Sequence, residues 1–136
     1  SRGIRMMCSA RMDHDFILEA FRQGAGMVLA SGCHPQDCHY ITGQQVAARR
    51  FGRLPRTLER LGINPERFRV EWISAAEGEK YARVITEMDA KLATFDKAEL
   101  RAENERARPA IARRLRRWKT VPQMAELLRE KEVVPA

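Results

Sequence analysis

The stretch Cys33-His34-Pro35-Gln36-Asp37-Cys38-His39-Tyr40 sets two thiols in a C-x4-C spacing, beside two imidazoles and a proline. A third thiol, Cys8, stands upstream, and these are the three cysteines of the chain. Thiolates are soft anionic ligands that repel one another unless a metal neutralises them. A C-x4-C loop stiffened by Pro35 lets two thiolates converge on one centre. Iron–sulfur clusters take four thiolates, and zinc takes four ligands from Cys and His. Cys8, Cys33 and Cys38 are therefore candidate metal or cofactor ligands, with His34 or His39 as a candidate fourth ligand or as a partner behind the ligands. The plainer alternative is that a buried cysteine packs as a small apolar residue. That reading suits Cys8 taken alone better than Cys33 and Cys38, which share a loop. His14, between Asp13 and Asp15, reads as a solvated surface residue.

The elements that must position these thiols follow from pattern. Ile4 to Cys8 reads as a short strand. Asp13 is a suitable cap for a helix through Gln23, with Phe16, Ile17, Ala20 and Phe21 on one face and Gly24 as its left-handed stop. Met27-Val28-Leu29-Ala30 is a short apolar run of the kind found in a strand buried on both faces. Residues 43–61 read as helix, with Ala47, Phe51, Leu54, Leu58 and Leu61 on one side and Pro55 splitting it near Gly52-Arg53. Phe68 to Ile73 is strand-like. Ser74-Ala75-Ala76-Glu77 reads as a capping box before a helix striped by Tyr81, Val84, Ile85, Met88, Leu92 and Phe95. The alternation of strand and helix implies an α/β fold, a small parallel sheet covered by helices in a three-layer, flavodoxin-like arrangement. Cys8 and Cys33 then both fall at the carboxyl edge of the sheet, where open α/β folds build their sites.

Residues 97–136 change character. They are Arg-, Glu- and Ala-rich and are interrupted by Pro109. Ile111, Leu115 and Trp118 fall on one side, and a last short helix opens at Thr120-Val121-Pro122-Gln123. The expected organisation is thus an α/β domain over residues 1–96 and a basic helical extension over 97–136. The net charge of +7 follows the same division, with 14 Lys/Arg against 12 Asp/Glu in the first part and 11 against 6 in the second. Arg113, Arg114, Arg116, Arg117 and Lys119 form a basic face, but Trp118 is the only aromatic there, so a docking face for a protein fits better than nucleic-acid binding. Truncation after Asp96 is expected to leave the first domain folded. No apolar run approaches the roughly 20 residues of a membrane span. An odd number of cysteines and no secretory pattern argue for reduced thiols and a cytoplasmic location. Gly24-Ala25-Gly26 lacks the phosphate-binding G-x-G-x-x-G pattern.

Four segments, Met7-Cys8-Ser9-Ala10-Arg11, Gly32 to Gly43, Gly62-Ile63-Asn64-Pro65-Glu66-Arg67 and Glu71 to Gly78, together resemble the delta subunit of the methyl-viologen-reducing hydrogenases. The resemblance runs from about residue 4 to residue 93. It implies a [2Fe-2S] cluster and an electron-transfer subunit rather than a self-sufficient enzyme. Such a subunit relays electrons between a hydrogenase or formate dehydrogenase and a heterodisulfide-reductase-like flavoprotein. Cys8, Cys33 and Cys38 match the family's second group of cysteines. The family's earlier strand, with its Cys-x-x-Cys, is absent here, and Ala10 stands where the family usually has Gly. Because the chain opens at Ser1 without an initiator Met, further sequence upstream is expected to supply what is missing. The alternative reading is an adapter domain, cluster-free or zinc-bound, that docks subunits of such a complex.

Overall fold

The computed structural model of the chain describes residues 2–116. Helix α1 spans His14–Arg22, strand β1 Val28–Gly32, helices α2 and α3 Gly43–Phe51 and Leu54–Arg60, and strand β2 Phe68–Trp72. Helices α4, Gly78–Thr94, and α5, Lys97–Leu115, complete the order. The strands run parallel, in register from Val28 opposite Phe68 to Gly32 opposite Trp72. The fold is α/β, with helices on a small parallel sheet and a C-terminal helix.

Local chemistry sets the boundaries. The Asp13 carboxylate accepts the Asp15 N–H at 3.1 Å, which satisfies one of the amides left unpaired at the start of α1. Gly24, at φ +99°, turns the chain away from that helix in the left-handed region. The long helix expected over 43–61 divides at Gly52-Arg53, and Pro55 falls in the first turn of α3, where its missing N–H costs nothing. Before α4 the anticipated capping box is half made. Glu77 Oε2 accepts the Ser74 N–H at 2.7 Å, while Ser74 Oγ takes the Ala76 N–H at 3.2 Å.

Several expectations need correction. Ile4 to Cys8 is not a strand, because a strand exists only through its ladder and the sheet has two strands among the described residues. Ile4 is instead exposed, and Cys8 leads into a tight turn at Ser9–Arg11 closed by Arg11 N–H to Cys8 O at 2.9 Å. On α1 the buried face holds Ile17, Leu18 and Phe21, with Phe16 only half-buried, because the helix packs on α5 as well as β1. In β1 only Ala30 is fully buried. On α4, Val84 and Met88 are buried but Tyr81 is exposed.

The largest departure is the tail. Pro109 does not interrupt α5, which continues to Leu115. Leu100, Asn104, Ala107 and Ile111 recur at helical spacing and are buried, and Ala107 and Ile111 belong to the same core as Phe21, Leu54 and Leu58. That packing on both sides of Pro109 holds the helix through the lost hydrogen bond. A second tie is polar. Arg67 is fully buried, stacks over the Phe21 ring at 5.0 Å, and donates to Ala25 O, Gly26 O, Glu103 Oε2 and Asn104 Oδ1 at 2.6–2.9 Å. One core therefore extends across residue 96 into α5. The helix expected to open at Thr120 and the side chains of Arg117, Trp118 and Lys119 lie outside the described residues. No helix among the described residues is long and apolar enough to cross a membrane.

Candidate metal centre

Cys33 directly follows β1, so the end of the strand sets its position. Cys38 lies in the loop from β1 to α2 and is buried, while Cys8 and Cys33 are half-buried and all three are free thiols. The first residue of α2, Gly43, is where Cys8 and Cys38 meet. A Cβ at Gly43 would lie 2.5 Å from Cys8 Sγ and 3.2 Å from Cys38 Sγ, so the two sulfurs are no further apart than those distances combined. Only glycine leaves room for this approach. Cys38 is hydrogen-bonded to the Cys33 thiol and to backbone N–H groups at the start of α2.

Those contacts make the pair of thiols unequal. The Gln44 N–H, with help from Tyr40, Cys33 and Gly43, holds the Cys38 thiol below the ordinary cysteine range. Burial, together with the hydrogen bond to Cys38, pushes the Cys33 thiol up. A helix N-terminus stabilises an anion, and Cys38 is the thiol placed there.

The loop carrying the thiols is strained and clamped. Gln36 and Ile41 adopt φ of +76° and +60°, a region that β-branched residues such as Ile41 rarely enter. Ile41 N–H donates to Cys38 O at 2.8 Å. On the other side, Arg50 Nη1 donates to Ala10 O at 2.5 Å and so ties the turn after Cys8 to α2. His14 is not simply solvated, since its Nε2–H donates to the Arg50 carbonyl at 2.5 Å. His34 Nε2 is paired with Glu77 Oε2, and the Glu77 carboxyl is held down first by the Ser74 N–H and then by His34. The exposed His39 ring packs edge-on against Tyr40 at 4.9 Å.

Residue type and spacing single out the three thiols but not what surrounds them. Gly43, Arg50 and Glu77 carry no metal-binding signature, and a glycine opening a helix just after a cysteine loop was the one available signal. Replacing it is informative. Gly43→Ala drives a methyl into Cys8 Sγ and is expected to cost about 1–3 kcal/mol in chemical denaturation. Adding Cys8→Ala should recover most of that loss, and a Gly43→Ala variant as stable as the parent would contradict the close approach.

The donor set suits a thiophilic centre in kind, with Cys8 and Cys38 meeting at Gly43, Cys33 beside Cys38, and amide donors facing Cys38. It is incomplete in number, since an iron–sulfur cluster takes four ligands. Among the described residues, no group of three or more His, Cys, Asp or Glu side chains is gathered in a metal-holding geometry.

A parallel strand edge, a helix N-terminus and converging thiols define a small α/β domain that presents cysteines. Residues 1–96 match the family described as methyl-viologen-reducing hydrogenase, delta subunit, and the chain belongs to that family. It is 51% identical over 89 residues to an iron-sulfur subunit of the F420-non-reducing hydrogenase of Archaeoglobus profundus, covering 65% of each chain. It is 47% identical over 91 residues to the vhc iron-sulfur subunit of the F420-non-reducing hydrogenase of Methanococcus voltae, covering 67% of this chain and 63% of that one. It is also 48% identical over 86 residues to a subunit of the ferredoxin:CoB-CoM heterodisulfide reductase of Methanosarcina mazei, covering 63% of this chain and 11% of that protein. The chain thus spans less than two thirds of the length of each of these relatives.

Proposed function

We propose that this chain is an electron-transfer subunit in which Cys8, Cys33 and Cys38 hold an iron–sulfur centre of the [2Fe-2S] type, with a further ligand from outside the described residues. It relays electrons between a hydrogenase or formate dehydrogenase and a heterodisulfide-reductase-like flavoprotein. The bound cluster supplies one-electron chemistry, and the protein's part is to hold it, exclude water and present it to a neighbour. Backbone N–H groups at the start of α2 offset the negative charge gathered by the thiolates. The Arg50 clamp keeps the Cys8 segment in place.

The observation that carries this reading is the set of exposed apolar side chains on the segments that bear Cys8 and Cys38. Among the described residues the exposed large hydrophobic side chains are Ile4, Met7, Tyr40, Ile41 and Tyr81. All but Tyr81 lie within four residues of Cys8 or Cys38. An electron relay needs close, water-excluding contact with its neighbours, and apolar and aromatic residues form the centre of such contacts. Relatives named as iron-sulfur subunits support the cofactor class. The match inside a heterodisulfide reductase polypeptide supports the partner class, since a domain fused to an enzyme in one protein works beside it in another.

The test uses the reduced protein and the flavoprotein. Electron transfer to the flavin should be observed, and Met7→Glu with Ile41→Glu should weaken association more than tenfold, about 1.4 kcal/mol, without altering the visible spectrum. A flavin that stays oxidised beside the reduced chain would contradict the relay. The adapter reading, cluster-free or zinc-bound, keeps the same exposed side chains and is supported by the incomplete ligand geometry.

A further inference from the structure

Residues 43–61 hold five arginines, no lysine and a single carboxylate, Glu59. Arg50 reaches back to the Ala10 carbonyl, while Arg49, Arg53, Arg56 and Arg60 are exposed. Spacings of four, three and four residues put those four on one helical face, opposite buried Ala47, Phe51, Leu54 and Leu58. The break between α2 and α3 does not disturb that face. Gly52 N–H still donates to Ala48 O at 2.9 Å and Arg53 N–H to Arg50 O at 3.0 Å, so the backbone keeps winding through it. The result is a strip of guanidinium groups about 16 Å long.

None of the four forms an ion pair with a described residue. Elsewhere, surface cations such as Arg22, Arg69, Lys91 and Arg108 are matched by Glu19, Glu71, Glu66 and Glu105. The exposed arginines of α5 are interspersed with Glu99, Glu103 and Glu105. Like charges three and four residues apart repel one another, and no described carboxylate offsets that cost on the strip. The planar guanidinium fork matches a carboxylate through two parallel hydrogen bonds.

We infer that this arginine strip is a docking surface for an acidic patch on the partner flavoprotein. This rests on the proposed function. Helix α2 opens just after Tyr40 and Ile41, so the strip continues from exposed side chains already assigned to that contact. A charged margin beside an apolar centre is the ordinary layout of an interface, and it steers the encounter. Nucleic acid fits less well, because Phe51 is the only aromatic residue of the segment and is buried in the core.

The test sets the double variant Arg53→Glu, Arg56→Glu beside Arg83→Glu, Arg101→Glu, which changes the net charge equally at exposed positions of α4 and α5. Binding of the native polypeptide to the flavoprotein should weaken about tenfold in the first variant and hardly at all in the second, and the difference should shrink as salt is raised. Equal weakening in both, or none in the first, overturns the docking strip and leaves the relay standing. A short duplex DNA that binds the parent at about 0.15 M salt, but not the first variant, assigns the strip to nucleic acid and overturns the inference as well. Absence of any association between the parent chain and the flavoprotein overturns the underlying reading and this inference with it.

Discussion

Ending the chain after Asp96 is expected to abolish its cooperative unfolding transition. The truncation removes Leu100, Asn104, Ala107 and Ile111 from the core. It also strips Glu103 and Asn104 from the fully buried Arg67 guanidinium, leaving the Ala25 and Gly26 carbonyls as its acceptors. Breaking a buried charge pair by removing one partner costs about 3–5 kcal/mol. Losing a buried side chain the size of Ile111 adds about 2–5 kcal/mol. Buried Asp15 loses Arg114, which donates to it at 2.6 Å. Against the roughly 5–15 kcal/mol of a typical domain, the sum leaves little or nothing. A denaturant melt of residues 1–96 checks this, and a sharp transition near the parent midpoint would contradict it.

The second large effect is expected at Cys38. Its sulfur shares the Gly43 contact with Cys8, shares a hydrogen bond with Cys33, and is the one faced by the α2 amides. Cys38→Ala should therefore eliminate bound iron and bleach visible absorption, since losing a thiolate opens a coordination position to water. Cys33→Ala should act in the same direction. His39→Ala should leave the spectrum unchanged, because that exposed ring sits on Tyr40. Retention of iron and colour in Cys38→Ala would place the cofactor elsewhere.

Local signals were legible where residue type alone decides the backbone. Asp13, Gly24 and Pro55 each do in the structure what their chemistry demands. The two paired strands were legible too, because an apolar run in β1 and an apolar–charged alternation in β2 are each bounded by clear breaks. The Ile4–Cys8 segment was not, since a short apolar run looks the same whether or not a neighbouring strand is there to pair with it. The role of α5 was hidden for a related reason. Its core-facing stripe contains Asn104 and Ala107, which read as polar or neutral, and Pro109 suggested a break that packing overrides. The thiols could be named from spacing, whereas the convergence of Cys8 and Cys38 on Gly43 depends on contacts between distant segments.

The central claim, that Cys8, Cys33 and Cys38 help hold an iron–sulfur centre, is tested most directly by metal and sulfide content. The native polypeptide, purified without oxygen, should contain iron and acid-labile sulfide in equal amounts, about two of each per chain for a [2Fe-2S] centre. Stoichiometric zinc without sulfide, or neither metal nor sulfide, would contradict it.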